Sequence, residues 1–166
     1  APLKYEGCQE DVRAYPYSDV TPTFHSIYGS VAGNDDADVT ADVNAGRGVV
    51  CYRGHGSSSS WSSWNQVPES YTSTIVDGLL NSHTPVVWGI ACSNATLSVE
   101  DCYAEHWMEQ DTHGAVSYYG ATQASYTTDN HELDKRLFRS VYDEGTVIQS
   151  QAIANAEWWV EIGFGP

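Results

Sequence analysis

The sequence predicts an α/β fold built on a mostly parallel sheet. Short apolar, β-rich runs alternate with stretches of helical periodicity roughly ten residues long, and the best of these runs is almost continuously apolar instead of alternating. Each run also empties into a polar or glycine-bounded loop. Strands joined through helices require right-handed crossovers, which leave the strands parallel and put any site beyond their carboxyl ends.

The elements follow in order. Residues 1–35 show no lasting period and carry Pro2, Pro16, Pro22, Gly7, Gly29 and Gly33, so irregular structure is expected. Asp36 to Asn44 sets Val39 and Val43 four apart, with acids at the start and Gly46 past the end, as in a short helix. Gly48-Val49-Val50-Cys51-Tyr52 is a strand that runs into Arg53-Gly54-His55-Gly56 and four serines. Ile75, Leu79 and Leu80 predict a helix over 70–82. Pro85 to Ala91 reads as a strand buried on both faces, ending at Cys92. Apolar positions 99, 103, 107 and 108 predict a helix over 99–110, and Gly114 to Tyr119 a third strand. Residues 131–142 carry Leu133, Leu137, Phe138, Val141 and Tyr142 on one stripe before Gly145, and a last helix is expected over 147–159.

The chain has 166 residues, enough for one domain that buries about two thirds of the surface its unfolded chain exposes. Seven basic residues against 22 acidic ones give a formal charge of −15, so no basic stripe exists to neutralise phosphates. Nucleic acid and anionic membranes are poor candidate partners on that ground, and no apolar run is long enough for a membrane span. Six Trp and eleven Tyr supply too many anchors for a disordered acidic tail. The opening Ala1-Pro2-Leu3-Lys4 lacks the basic and apolar regions of a signal peptide, as expected of a mature chain or a piece of one. Little Lys with abundant Ser, Thr, Tyr, Trp and Asp favours an exported protein, and a saline setting would select the same acidic excess.

Cysteines stand at 8, 51, 92 and 102 with no CxxC and no Cys/His set at zinc spacing, so neither a metal site nor a disulfide framework is signalled. The first strand delivers His55 and the second Cys92 to the same sheet edge. A thiol becomes a nucleophile when a neighbouring base favours thiolate, and an attacked carbonyl needs donors where its oxyanion forms. His55 fits the proton shuttle, and the N–H groups of Gly56 and Cys92 fit the oxyanion donors. A buried structural cysteine is the alternative.

Four ordered motifs resemble the gingipain family of cysteine endopeptidases, peptidase family C25 of the caspase-like clan. They are Tyr52-Arg53-Gly54-His55-Gly56-Ser57 with Trp61; Ile90-Ala91-Cys92; Cys102-Tyr103-Ala104-Glu105; and Tyr119 to Tyr126. The likeness covers roughly residues 45–130. It implies a caspase-like three-layer αβα fold, of which this chain holds only the C-terminal portion: 1–45 as lead-in, 46–160 as β/α core. It implies Cys92 as nucleophile, His55 as general base and acid, and Gly56 with Cys92 as oxyanion donors. The segment Ser125 to Asn130 would line the S1 pocket, with Ser125, Tyr126 and Asp129 toward substrate and Asp129 within about one residue of an acid that selects lysine in one branch; a solvated aspartate beside the helix start at 131 is the alternative. Beside the serine loop, Trp61 is a candidate wall of a substrate pocket, with simple loop packing as the alternative. Cys102 matches a position at the start of a helix that is not the nucleophile. The implied setting is a secreted or cell-surface bacterial or archaeal protein acting on peptides or proteins.

The chain departs from the family at both ends. About 47 residues precede the His-Gly strand, so two β/α units and the acid that orients the histidine have no match; Glu6, Glu10, Asp11 and Asp19 are weak substitutes. The family's Gly-Asp-Pro segment is also missing, since the chain ends Gly163-Phe164-Gly165-Pro166. An exposed edge on a short parallel sheet predicts a processed subunit or fragment completed by a second polypeptide. The rival reading is a non-catalytic structural or adhesive protein that retains the fold and assembles with partner chains.

The remaining features have plainer readings. No cofactor is required and calcium is a candidate structural ion, although Asp35, Asp36, Asp38 and Asp42 lack EF-hand spacing and read as acids at a helix start. The serines after His55-Gly56, with Trp61 and Trp64 beyond them, are expected to form an ordered rim to the cleft. Asn94-Ala95-Thr96 is a formal glycosylation sequon, expected to be unused beside a nucleophile. Histidines 25, 83, 106, 113 and 131 show no metal spacing and read as surface or satisfied polar groups. Trp158-Trp159 is expected to pack a terminal helix onto the sheet or a partner.

Overall fold

The computed structural model describes residues 4–62 and 69–163; Trp64 lies outside them, as do the chain's first and last three residues. In chain order the elements are α1 (Lys4–Ala14), α2 (Asp36–Asn44), β1 (Val49–Arg53), β2 (Gly56–Ser57), β3 (Ser60–Trp61), β4 (Tyr71–Thr72), α3 (Ser73–Asp77), β5 (Val86–Ile90), α4 (Tyr103–Met108), β6 (Ser117–Gly120), α5 (Thr127–Tyr142) and α6 (Gln149–Glu161). They fall into two compact units, residues 25–125 and residues 1–24 with 126–166.

The first unit, 25–125, carries the parallel sheet. β5 lies in the middle, in register with β1 from Val49↔Val86 to Arg53↔Ile90 and with β6 from Val86↔Ser117 to Gly89↔Gly120. The order β1-β5-β6 leaves β1 and β6 as outer strands of this sheet among the described residues. The central strand is the nearly continuous apolar run, and Val87, Trp88 and Ile90 are at most 2% exposed. Side chains alternate across a strand. Val50 and Tyr52 of β1, Val87 of β5 and Tyr118 of β6 therefore share the face that packs on Val43 of α2, Val76 of α3 and Tyr103 and Trp107 of α4.

α2 begins as the acids predict: Asp35 Oδ1 accepts from the N–H groups of Ala37 and Asp38, and Asp38 returns a carboxylate to the Asp35 N–H. The predicted helix over 70–82 shrinks to α3. Tyr71-Thr72 pairs instead with Ser60-Trp61 in a small antiparallel sheet, and the chain turns out at Gly78. Leu79 enters the core while Leu80 stays 82% exposed, so its helical spacing was incidental. The predicted helix over 99–110 likewise shortens to α4, whose stripe is Tyr103 and Trp107; Val99 is exposed. β6 starts at Ser117 and not at 114. The buried Asn81 carboxamide binds both the N–H and the C=O of Gly114, at 3.1 and 2.8 Å, which takes that peptide out of the ladder.

The second unit is helical. Its α1 corrects the expectation of irregular structure before residue 35. Gly7 and Pro2 hide a helix whose only apolar stripe is Cys8 and Val12, both buried. Packing against α5 supplies what propensity lacks: the carboxylate of Asp134, itself fully buried, accepts from Gln9 Nε2 and lies 3.5 Å from Cys8 Sγ. α5 begins at Thr127, one turn before the predicted start. α6 packs on it through Ala152 and Ala156, both fully buried. Trp159 lies under the Arg136 guanidinium at 5.3 Å, whereas Trp158 is 66% exposed and outside the buried core of its unit.

Candidate active site

Parallel register fixes where the two predicted reactive residues emerge. Arg53 and Ile90 are partners in the ladder, so His55 and Cys92 each stand two residues past the same rung, on adjacent strands. The buried Arg53 guanidinium closes the end of the ladder by donating to the Ile90 carbonyl at 3.1 Å. Both chains then turn. Ala91 N–H reaches back to Gly89 at 2.8 Å, and Ser93 adopts φ 56°, a left-handed conformation that costs a non-glycine residue about 1–2 kcal/mol.

The His55-Gly56 turn is pressed against the Cys92 turn. A Cβ on Gly56 would sit 2.8 Å from the Cys92 carbonyl oxygen, 2.9 Å from Ala91 Cβ and 2.6 Å from Asn94 Nδ2. A side chain there would have to displace backbone, so the position calls for glycine. The His55 side chain is exposed and Cys92 half-buried, so both are open to solvent. The His55 carbonyl accepts from Tyr52 Oη at 2.7 Å and from Ser62 N–H at 2.9 Å, which fixes the backbone carrying the imidazole.

Cys92 Sγ is 3.4 Å from both the N–H and the C=O of Ser125, with Ser125 Oγ at 3.8 Å. The Ser125 amide thus offers a donor to the sulfur. The loops after β5 and β6 are stitched together by Ser93 N–H to Gln123 O and Ala95 N–H to Ala121 O, both 3.0 Å. A cleft of about 510 Å³ opens between them, lined by Ser93, Thr96, Leu97, Ser98, Thr122 and Gln123 with Ala124 and by no charged side chain.

The structure thus brings His55, Gly56, Cys92 and Ser125 together in the first unit. Tyr126 and Asp129 belong to the second unit, at the N-terminus of α5. Both are exposed, and the Asp129 carboxylate lies in the helix's first turn, where the macrodipole favours negative charge. Trp61 requires correction. It is 3% exposed, stacked on Tyr52 at 4.6 Å and Tyr71 at 5.7 Å, and its Nε1 donates to Tyr118 Oη at 3.1 Å. Two occupied faces and a satisfied N–H make it core instead of pocket wall. The serines 57–60 do form ordered structure, the β2–β3 hairpin.

All four cysteines are free thiols. Cys102 caps α4, where Glu105 accepts from its N–H at 2.6 Å, and burial pushes its thiol up, away from thiolate. Asn94 is fully buried with its Nδ2 engaged, so the sequon has no free acceptor. Sequence reasoning missed two supports of the site, Asn94 and Tyr52; the one signal was their position, two residues after Cys92 and three before His55. Among the described residues one acidic group, Asp35, Asp36 and Glu69, brings its oxygens within 4.8 Å of one another. His106 pairs with Asp77 at 2.8 Å and His25 with Asp42 at 3.4 Å, as surface polar groups do.

The model of peptidase family C25 matches residues 8–160. No curated protein sequence matches the chain. Among solved structures, the Arg-specific cysteine proteinase gingipain R (RgpB) superposes with TM-score 0.69 at 21% identity, covering 81% of this chain and 32% of that one. The complex of Porphyromonas gingivalis RgpB pro- and mature domains gives TM-score 0.70 at 19% identity over 81% of this chain and 33% of that one. These likenesses show the gingipain, caspase-like fold, and this chain spans about a third of the length of the solved chains. With its parallel sheet, its ordered motifs and a family match over nearly its whole length, the chain belongs to peptidase family C25.

Proposed function

We propose that this chain carries the catalytic dyad of a cysteine endopeptidase, with Cys92 as nucleophile and His55 as its base. One observation supports this above the others: the two residues lie two positions beyond one shared rung of adjacent parallel strands, and Gly56 sits so close to the Cys92 carbonyl that a Cβ would have no room.

The chemistry follows from that placement. His55 takes the thiol proton as Sγ attacks the peptide carbonyl carbon, and the C=O electron pair moves to oxygen, held by the N–H groups of Gly56 and Cys92. Collapse of the tetrahedral species breaks the C–N bond, and the imidazolium returns its proton to the leaving amine. Water, deprotonated by His55, then attacks the thioester; the acid product leaves and the thiol is restored. No cofactor enters these steps, and a bound calcium would be structural. Basic residues are the proposed preference at the cleaved bond, through Asp129, with Ser125 and Tyr126 along the substrate. A second polypeptide is proposed to complete the sheet beside its outer strands, in an exported protein. Among the described residues no helix is long and apolar enough to cross a membrane.

Labelling Cys92 with iodoacetamide or a peptidyl chloromethylketone tests the dyad. Stoichiometric reaction at Cys92, abolished in His55→Ala, is the expected result. Slow, equal labelling of all four thiols regardless of His55 would favour the non-catalytic structural protein.

A further inference from the structure

We propose that Asn94 is a positioning residue of this site. Its carboxamide clamps the hairpin that follows His55 onto the Cys92 loop and so sets the Gly56 N–H beside the Cys92 N–H. Asn94 stands two residues after the nucleophile and is fully buried. Nδ2 donates to the Ser57 carbonyl at 2.7 Å and to the Ser60 carbonyl at 3.2 Å. Ser57 and Ser60 are partners in the β2–β3 ladder, so one amide group spans both strands of the hairpin. The backbone of Asn94 is anchored in turn, its carbonyl accepting from the Ala104 N–H at 3.0 Å in the first turn of α4. Ser58 at the hairpin tip accepts from the Tyr103 N–H of that turn at 2.8 Å.

Three features assign this contact to the oxyanion donors and not to general packing. First, Asn94 Nδ2 occupies the space a Cβ on Gly56 would need, 2.6 Å away, so the carboxamide abuts the donor residue itself. Second, Oδ1 is buried with no hydrogen-bond partner among the described residues. A buried half-satisfied amide is costly, and an apolar side chain of similar volume would fill the same space without that cost. Third, the orientation is forced: rotating the amide would turn Oδ1 toward two carbonyl oxygens. The strained Ser93 between Cys92 and Asn94 is what lets one short loop present both the thiol and the clamp.

This role rests on the peptidase reading, and the test separates the two. In Asn94→Ala, kcat should fall by about a hundredfold with KM within about threefold, the signature of donors displaced from the transition state. Alkylation of Cys92 by iodoacetamide needs thiolate but no oxyanion donors, and should keep its wild-type rate. Affinity for a peptidyl aldehyde, whose hemithioacetal oxygen occupies the donor pair, should fall with kcat. Asn94→Asp preserves volume but faces two carbonyls with oxygen, and should be as impaired as the alanine. Asn94→Ser, which keeps one short donor, takes the place of Asn94→Ala if that variant does not fold, with the same split between alkylation and turnover. Wild-type turnover in Asn94→Ala, restoration by Asn94→Asp, or parallel loss of alkylation and aldehyde binding would each overturn the role alone. A wild-type chain whose Cys92 shows no His55-dependent labelling would remove the peptidase reading and this role with it.

Discussion

The phenol of Tyr52 donates to the carbonyl oxygen of His55 at 2.7 Å while its ring lies flat on Trp61, the planes 9° apart. The backbone bearing the proposed base is therefore tied to the aromatic core through one side chain. A Cβ on Gly54 would meet Tyr52 Oη at 2.3 Å, so the intervening residue must lack one.

Tyr52→Phe keeps the stack and removes the bond. It should destabilise the fold by about 1 kcal/mol. Peptide turnover should drop more than urea unfolding would suggest, because His55 loses a backbone restraint. A variant with unchanged kcat would show that the second bond, from Ser62, suffices.

Trp61→Ala opens a cavity among Tyr52, Tyr71, Tyr103 and Trp107 and should cost about 3–5 kcal/mol in denaturant unfolding. Trp61→Phe, which retains part of the stack but not the bond to Tyr118, should cost less. A Trp61→Ala chain of wild-type stability and altered cleavage preference would return the residue to the substrate pocket.

Burial raises Tyr71 to about 12 and pushes Tyr103 and Tyr118 up as well, so folding favours their neutral phenols. A raised folded value means that this contribution is complete below the ordinary tyrosine value of 10.0 and is lost as pH climbs through the folded value. Alkaline titration followed by phenolate absorbance should show these three ionising together with loss of near-UV dichroism. Ionisation of all eleven tyrosines near the ordinary value, with the fold intact, would contradict their burial.

Asp143 behaves in the opposite sense. The Ser18 hydroxyl, the Ser18 N–H and the Tyr15 phenol bond its carboxylate and hold it below the ordinary aspartate range. A lowered folded value gives a contribution present above the unfolded value and lost as pH falls through the folded one. Asp143→Asn should therefore lower the melting temperature at pH 7, and the gap to wild type should close below about pH 4. A gap independent of pH would assign the effect to shape alone.

Asp129→Asn tests the proposed preference for basic residues. Turnover of peptides with Arg or Lys before the cleaved bond should fall several-fold, and that of neutral peptides should hold. Equal rates for basic peptides in both proteins would confine Asp129 to its place in the first turn of α5 and turn attention to the uncharged cleft beside Cys92.

The parallel strands, the helix over 36–44 and the emergence of His55 and Cys92 at one edge were legible in the amino-acid order, because they follow from local periodicity and from the handedness of crossovers. That order concealed α1, whose two-residue stripe forms a helix only against α5, and it misplaced Trp61, since an aromatic beside a serine loop reads alike as wall or core. What the tertiary structure alone decided was register and contact. That Arg53 bonds to Ile90 and that Asn94 reaches two carbonyls of a hairpin 34 and 37 residues away are long-range hydrogen bonds, and the close approach of Gly56 to the Cys92 carbonyl is a long-range steric fit; spacing along a chain carries no information about which distant groups will meet.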